Sequence, residues 1–320
     1  MHTSLGDQLS PPDPVSELVL RDGRAYHLSV AGHELARNWL VVGDPARAMR
    51  VASHFDTIDH DRRHREYVTL TGTYRGTPMT VIGTGIGTDN LEIALLEGYG
   101  MLDIDPLTGR KNPDAEPVRV IRVGTSGGAR DDVAPGTLVV SQYAIGLDST
   151  GLYFDVPAAD ATVLALEEAA IAALAATTKA GARFANRLPV YAAKADEPLA
   201  RQLAEMCRAR GLPMACGTTV AAPGFFGASG RRMDQTSLTV PTIKQALAAI
   251  EVTGQRVLNF DMESSLLFHL AQSIGWRAAT ICPTISAPSA HGAVIDPQVA
   301  VDAAIIVAMD VLAAGADRDR

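Results

Sequence analysis

Apolar, β-branched runs that alternate with helix-forming stretches predict an α/β fold, a sheet with helices on both faces. Two further observations set its scale. The chain has 320 residues, 47% hydrophobic and 20% charged, which is enough for a large core. No Pro-, Ser- or Gly-rich linker divides it, so one domain is expected over 21–316, between flexible tails at 1–20 and 317–320.

The elements follow in order. Tyr26-His27-Leu28 suits a half-buried strand. Trp39-Leu40-Val41-Val42 is a short buried strand, and Gly43-Asp44-Pro45 turns it into a helix at 45–54. Asp44 suits the cap, and Pro45 the first helical position. His64-Arg65-Glu66-Tyr67 is a polar strand entry; strands near 66–74 and 78–84 flank a turn at Arg75-Gly76. Gly83-Thr84-Gly85-Ile86-Gly87 is a glycine loop leading into a helix at 88–102. Strands follow at 118–123 and Thr137–Val140, then Ala-rich helices at 160–177 and 196–210, with strands near 188–193 and 216–222. Residues 224–240, rich in Gly, Ser and Thr, read as a mobile loop. A helix at 241–252 precedes the strand Val257–Phe260. A helix from Asp261 to Gly275, a strand from Ala278 to Ile285 and a helix from Pro297 to Ala314 complete the series.

Bulk charge excludes some functions. The net charge is −8, from 28 basic and 36 acidic residues, and a general nucleic-acid binder needs a basic face. No apolar run of membrane-spanning length is expected, and the N-terminus has no apolar signal core. The three cysteines, Cys207, Cys216 and Cys282, lack metal-type spacing and read as reduced thiols of a cytoplasmic protein. There is no HExxH or Cys/His metal set, so no metal is expected.

The segment Ile121-Arg122-Val123-Gly124-Thr125-Ser126-Gly127-Gly128 carries the most chemistry. A charged residue sits inside an apolar strand that breaks into glycines and hydroxyls. Arg122, the Thr125 and Ser126 hydroxyls and backbone N–H groups suit an oxyanion. Equally, Arg122 suits an internal carboxylate, since a buried guanidinium needs a partner. Gly43 and Arg47 place a strand-end glycine and an arginine about a helix N-terminus, as phosphate favours; a capped helix with a solvent-facing arginine explains them as well. The glycine loop at 83–87 lacks the full GxGxxG spacing and reads as close backbone approach to a ligand or strand. Asp261 and Glu263, one residue apart, cannot share one helical face; Asp261 suits a cap, while Glu263 is free to point elsewhere.

Taken together, Tyr26-His27-Leu28, Gly43-Asp44-Pro45-Ala46-Arg47, His64-Arg65-Glu66-Tyr67, Thr84-Gly85-Ile86-Gly87, Arg122-Val123-Gly124-Thr125-Ser126-Gly127 and Asp261-Met262-Glu263-Ser264 resemble, in order, the nucleoside phosphorylase-I family, uridine phosphorylases in particular. The resemblance spans about 25–314. It implies a single-domain twisted mixed β-sheet flanked by helices, assembled as a homodimer or homohexamer with sites at the dimer interface. It implies that Gly43, Arg47, Arg122 and Thr125 bind phosphate, joined by Arg65 from the neighbouring subunit. His27, also from the neighbour, would contact the ribose with Thr125, Met262 and Glu263, the last holding both ring hydroxyls. Ser126, Gly127, Phe226 and Arg232 would meet the base. Counting back from Asp234 sets Arg232 on the family arginine and Phe226 on the stacking aromatic, and Gly230 falls where the family glutamine reads a pyrimidine edge. Asp261 is shorter than the family glutamate. Ser286 is followed by Ala287-Pro288, without the acid found in purine-cleaving relatives.

The function so implied is phosphate-dependent cleavage of a pyrimidine nucleoside, uridine first, with Arg47, Arg122 and Glu263 at its centre. Inorganic phosphate is co-substrate, and no cofactor is needed. The alternatives are a nucleosidase that hydrolyses the same bond and a noncatalytic nucleoside-binding protein. A nicotinamide-dependent oxidoreductase is disfavoured by the broken glycine fingerprint.

Overall fold

The computed structural model describes residues 16–288 and 296–316. The strands in chain order are β1 (Leu20–Arg21), β2 (Arg24–Ala25), β3 (Asn38–Val42), β4 (Thr57–His64), β5 (Tyr67–Tyr74), β6 (Thr77–Gly83), β7 (Arg119–Val123), β8 (Ser126–Gly128), β9 (Leu138–Gly146), β10 (Tyr191–Lys194), β11 (Met214–Ala221), β12 (Glu251–Val252), β13 (Gln255–Asp261) and β14 (Arg277–Ser286). The helices are α1 (Pro45–Ala52), α2 (Thr88–Asp103), α3 (Ala161–Thr177), α4 (Glu197–Ala209), α5 (Ile243–Ala248), α6 (Ser264–Ile274) and α7 (Gln298–Ala316).

One mixed sheet runs β10-β9-β11-β13-β8-β14-β7-β3-β6-β5-β4, with β12 paired beside β13. An additional β9–β14 pairing closes its middle into a ring of strands. Strands β6, β3, β7 and β14 run parallel, so their carboxyl ends face the same way. Helices flank the sheet, as the sequence predicts: α1 packs on β5 and β6, α6 on β9, β10 and β14, and α7 on β7 and β14.

Local chemistry explains the elements near these carboxyl ends. The Asp44 carboxylate accepts from the Ala46 N–H at 2.8 Å, and Pro45 occupies the first turn of α1. The β5–β6 hairpin turns at Arg75 and Gly76, both with positive φ (50° and 74°), the twist that two-residue hairpins favour.

Five expectations need correction. Tyr26-His27-Leu28 is no strand: it lies in the turn that follows β2. Residues 16–20 are not tail-like: Ser16 N–H donates to Gly109 O at 2.9 Å, Leu18 lies over Gly100, and Leu20 opens β1. The tails expected at 1–15 and 317–320 lie outside the described residues. β4 was not expected, because Thr-Ile-Asp-His-Asp-Arg-Arg-His has no apolar alternation; it is the charged edge of the sheet, where charge blocks further pairing. Residues 241–252 hold the short α5 and then β12, which Thr253 and Gly254 (φ 50° and 77°) turn back onto β13. Finally, α7 is long and apolar enough to cross a membrane by length and composition. It packs instead against the sheet, with Ile305, Val307, Ala308 and Leu312 fully buried, and its two aspartates are paired: Asp302 with Arg50 and Asp310 with Tyr74 and Arg75.

The core is closely packed where α2 meets Trp39 of β3. Gly98 faces the buried Trp39 indole so closely that a Cβ there would overlap the ring. Gly98→Ala is expected to cost about 1–3 kcal/mol by overpacking, although alanine favours helix. Chemical denaturation of the variant beside the unmodified protein measures it.

Candidate active site

A cavity of about 790 Å³ opens at the carboxyl ends of β3, β6, β7 and β14, where ligands bind in sheets of this kind. Its lining joins Gly43 and Arg47, the Gly85-Ile86 loop, Arg122, the Thr125-to-Gly127 turn and the segment from Phe260 to Glu263.

Arg122 reaches this cavity from a buried strand. Its guanidinium hydrogen-bonds Asp261 at 2.9 Å and Glu263 still more closely, and its side chain is only 6% exposed. Gly124 leaves the space it needs, since a Cβ there would overlap the guanidinium. Burial works against the charge on Arg122, but Glu263 and then Asp261 outweigh it and hold its pKa above the ordinary arginine value. Burial raises the Asp261 pKa, opposed by Arg122 and reinforced by Glu263. Cys282 Sγ lies 3.2 Å from Arg122, and burial pushes that thiol up to about 12, so it is a protonated packing group. The internal-carboxylate reading of Arg122 is therefore the one realised in this structure, at a site that also opens to the cavity.

The two acids meet Arg122 because neither stands within a helix. Asp261 ends β13, and Glu263 immediately precedes α6. The expectation that they point apart assumed a helix beginning at Asp261. Asp261 also accepts from the Ser264 hydroxyl, so its capping role is minor beside its ion pair. Glu263 takes a second bond from the Gly87 N–H at 2.8 Å, which ties the glycine loop to the site. Gly85 and Gly87 have φ of 79° and 108°, accessible to glycine at little cost.

Arg47 differs from Arg122 in one respect. Its guanidinium donates to the Val123 carbonyl at 3.1 Å and has no carboxylate partner among the described residues. Burial, and then the nearby Arg122 charge, lower its pKa from the ordinary value. A half-buried cation beside a second cation, facing a cavity, is a place for an anion. Gly43 approaches to where a Cβ would sit 3.4 Å from Gly85 O, and the Thr125 hydroxyl has no partner among the described residues.

The remaining predicted residues separate into three groups. Ser126, Gly127 and Met262 line the cavity. His27 and Arg65 do not: the His27 ring contacts Glu97 at 2.7 Å, and Arg65 is exposed at the β4–β5 turn, 5.3 Å from the Tyr26 ring. Phe226 and Arg232 are exposed and also lie off the cavity. Their places on its wall are taken by Phe225 and Arg231, with Ser229. Phe225, Ser229 and Arg231 thus each stand one residue before Phe226, Gly230 and Arg232, the positions that the resemblance assigns to the base. Gly230 has φ 71°, and a side chain there would press on Ile243 and the Pro241 carbonyl at 3.3 Å. Arg231 caps Phe225, 4.1 Å from its ring centre, and donates to the Phe225 carbonyl at 2.8 Å.

Sequence reasoning missed Lys244, which lines the same cavity 5.6 Å from the Phe260 ring. A single lysine at the start of a short helix carries no signal of burial. Among the described residues no cluster of three His, Cys, Asp or Glu is placed to hold a metal ion.

The family model of the phosphorylase superfamily matches residues 39–309. The chain belongs to that superfamily. A uridine phosphorylase from Thermococcus kodakarensis is 26% identical over 261 residues, 82% of this chain and 76% of the relative. A DeoD-type purine nucleoside phosphorylase from Listeria monocytogenes is 28% identical over 258 residues, 80% of this chain and 84% of the relative. Among solved structures, a Trypanosoma brucei nucleoside phosphorylase that shows uridine phosphorylase activity superposes with a TM-score of 0.80 at 28% identity, covering 94% of this chain and 99% of its own. Nucleoside phosphorylases are thus the relatives of this chain by sequence and fold, with uridine and purine enzymes both among them.

Proposed function

We propose that this protein cleaves a pyrimidine nucleoside, uridine first, with inorganic phosphate, giving the free base and ribose 1-phosphate. The observation that carries the reading is Arg47, a half-buried cation without a carboxylate partner among the described residues, beside Arg122 on the cavity wall. Phosphate held by Arg47, Arg122, Thr125 and the Gly43 backbone would lie beneath the sugar. One of its oxygens attacks C1′ as the glycosidic bond breaks. The sugar becomes oxocarbenium-like, and the adjacent phosphate charge stabilises it. Glu263, held by Arg122 and the Gly87 N–H, is preorganised to accept from the two ribose hydroxyls. Phe225 supplies a stacking face, and Ser229 and Arg231 supply polar contacts to the base.

The subunit arrangement belongs to the same proposal. His27 and Arg65 lie off their own cavity, and Arg65 is exposed without an ion pair among the described residues. A dimer that brings them to a neighbour's cavity completes the phosphate and ribose contacts. Three free cysteines fit a cytoplasmic enzyme.

A purine nucleoside is the second reading, favoured by the Listeria relative. Against it, no acid follows Ser286, where Ala287 and Pro288 stand. A panel of uridine, thymidine, cytidine, inosine and adenosine, each with and without phosphate, is the test. Uracil and ribose 1-phosphate are expected in equal amounts, only with phosphate. Base release without phosphate would make the protein a nucleosidase; binding without turnover would make it a noncatalytic binder.

A further inference from the structure

We propose that the Lys244 ammonium holds the negative charge of the departing base. The inference rests on the phosphorolysis reading above and adds a residue to it. Lys244 is half-buried, lines the cavity and stands 5.6 Å from the ring of Phe260. It has no ion pair or hydrogen bond from its ammonium among the described residues. Its backbone adjoins Gly230, and its nearest charged influence is another cation, Arg231. Burial, and then Arg231, lower its pKa, and no acid offsets them. Of the cavity acids, Asp261 and Glu263 are engaged on Arg122 and Asp44 on the α1 N-terminus, while Glu66 stands beside Gly85 and is not among the charges that act on Lys244. The cavity therefore carries a second pair of cations, Lys244 and Arg231, apart from the Arg47–Arg122 pair. Two uncompensated cations in a partly dry pocket are costly unless an anion arrives there.

Phosphorolysis produces that anion. When the phosphate oxygen bonds to C1′, the electron pair of the C1′–N bond passes to the base nitrogen and spreads to the ring carbonyls. A cation fixed beside the carbonyl edge is worth more in the transition state than in the neutral nucleoside, so it accelerates bond breaking. Lys244 needs to give up no proton; the base anion takes one from water after release.

The test compares uridine with 5-fluorouridine, whose fluorine makes the leaving base more acidic. Single-turnover base release is measured for the unmodified enzyme, Lys244→Met, which keeps an unbranched side chain without the charge, and Lys244→Arg, which keeps the charge. Lys244→Met is expected to slow uridine about 10²-fold and 5-fluorouridine at least several-fold less, with the KM for phosphate unchanged. Lys244→Arg is expected to recover much of the loss. Equal slowing of both substrates, no slowing, or an equally slow Lys244→Arg would overturn the role. No phosphate-dependent base release from any nucleoside by the unmodified enzyme would overturn the phosphorolysis reading itself, and this inference with it.

Discussion

Arg122→Ala is expected to cost about 3–5 kcal/mol of folding free energy and to abolish turnover. The reason lies in the charges it leaves behind. Asp261 and Glu263 are both buried and both face Arg122. Without the guanidinium they face one another, with only Ser264 and the Gly87 N–H to satisfy them. The pH dependence follows. The Asp261 pKa is already raised by burial and Glu263, with Arg122 as the opposing influence, so removing Arg122 raises it further. A folded-state pKa above the unfolded one means that the folded state holds the proton more tightly. Stability then falls as pH rises through the folded pKa, and recovers as pH falls towards the unfolded carboxylate value of about 4. The stability gap between Arg122→Ala and the unmodified protein should therefore narrow between pH 8 and pH 5, read by urea denaturation at each pH. A gap that is small and independent of pH would show that the acids are not coupled to Arg122.

This changes what an inactive Arg122 variant can mean. Loss of activity there mixes phosphate contact with the collapse of Glu263's support, because one side chain serves both the fold and the cavity. From the sequence, Arg122 stood out as a charge in an apolar strand, and that anomaly did mark the site. Its partners were hidden, because the i to i+2 spacing of Asp261 and Glu263 was read on a helix that begins three residues later. Capping at Asp44-Pro45 was legible because it is local chemistry, fixed within one turn. The β4 edge was not, since its charges obey sheet-edge logic rather than apolar alternation. The lining residues of 225–232 were not legible either. A glycine- and serine-rich loop has no period, so the sequence alone does not show which of its aromatic and basic side chains line the cavity. Lys244 needed the cavity itself to be noticed.

Arg47→Ala separates the functions that Arg122 combines. The Arg47 guanidinium makes one hydrogen bond among the described residues, to the Val123 carbonyl, and stands near a like charge. Removing it breaks no ion pair and relieves repulsion with Arg122, so folding free energy should move by no more than about 1 kcal/mol. Phosphate binding is a different matter. A guanidinium aimed into a partly dry cavity acts at the strength of a preorganised oxyanion donor, so kcat/KM for phosphate should fall about 10²–10³-fold. Arg47→Lys should recover only part, because an ammonium keeps the charge but loses the two-pronged fork that matches phosphate oxygens. Phosphate titration of initial rates at saturating uridine measures the effect, with thermal denaturation as the control for folding. An Arg47→Ala enzyme with unchanged kcat/KM for phosphate would move the nucleophile away from the Gly43–Arg47 corner. A variant that loses phosphate dependence but still releases base would show the same pocket working as a hydrolase once its anion is gone.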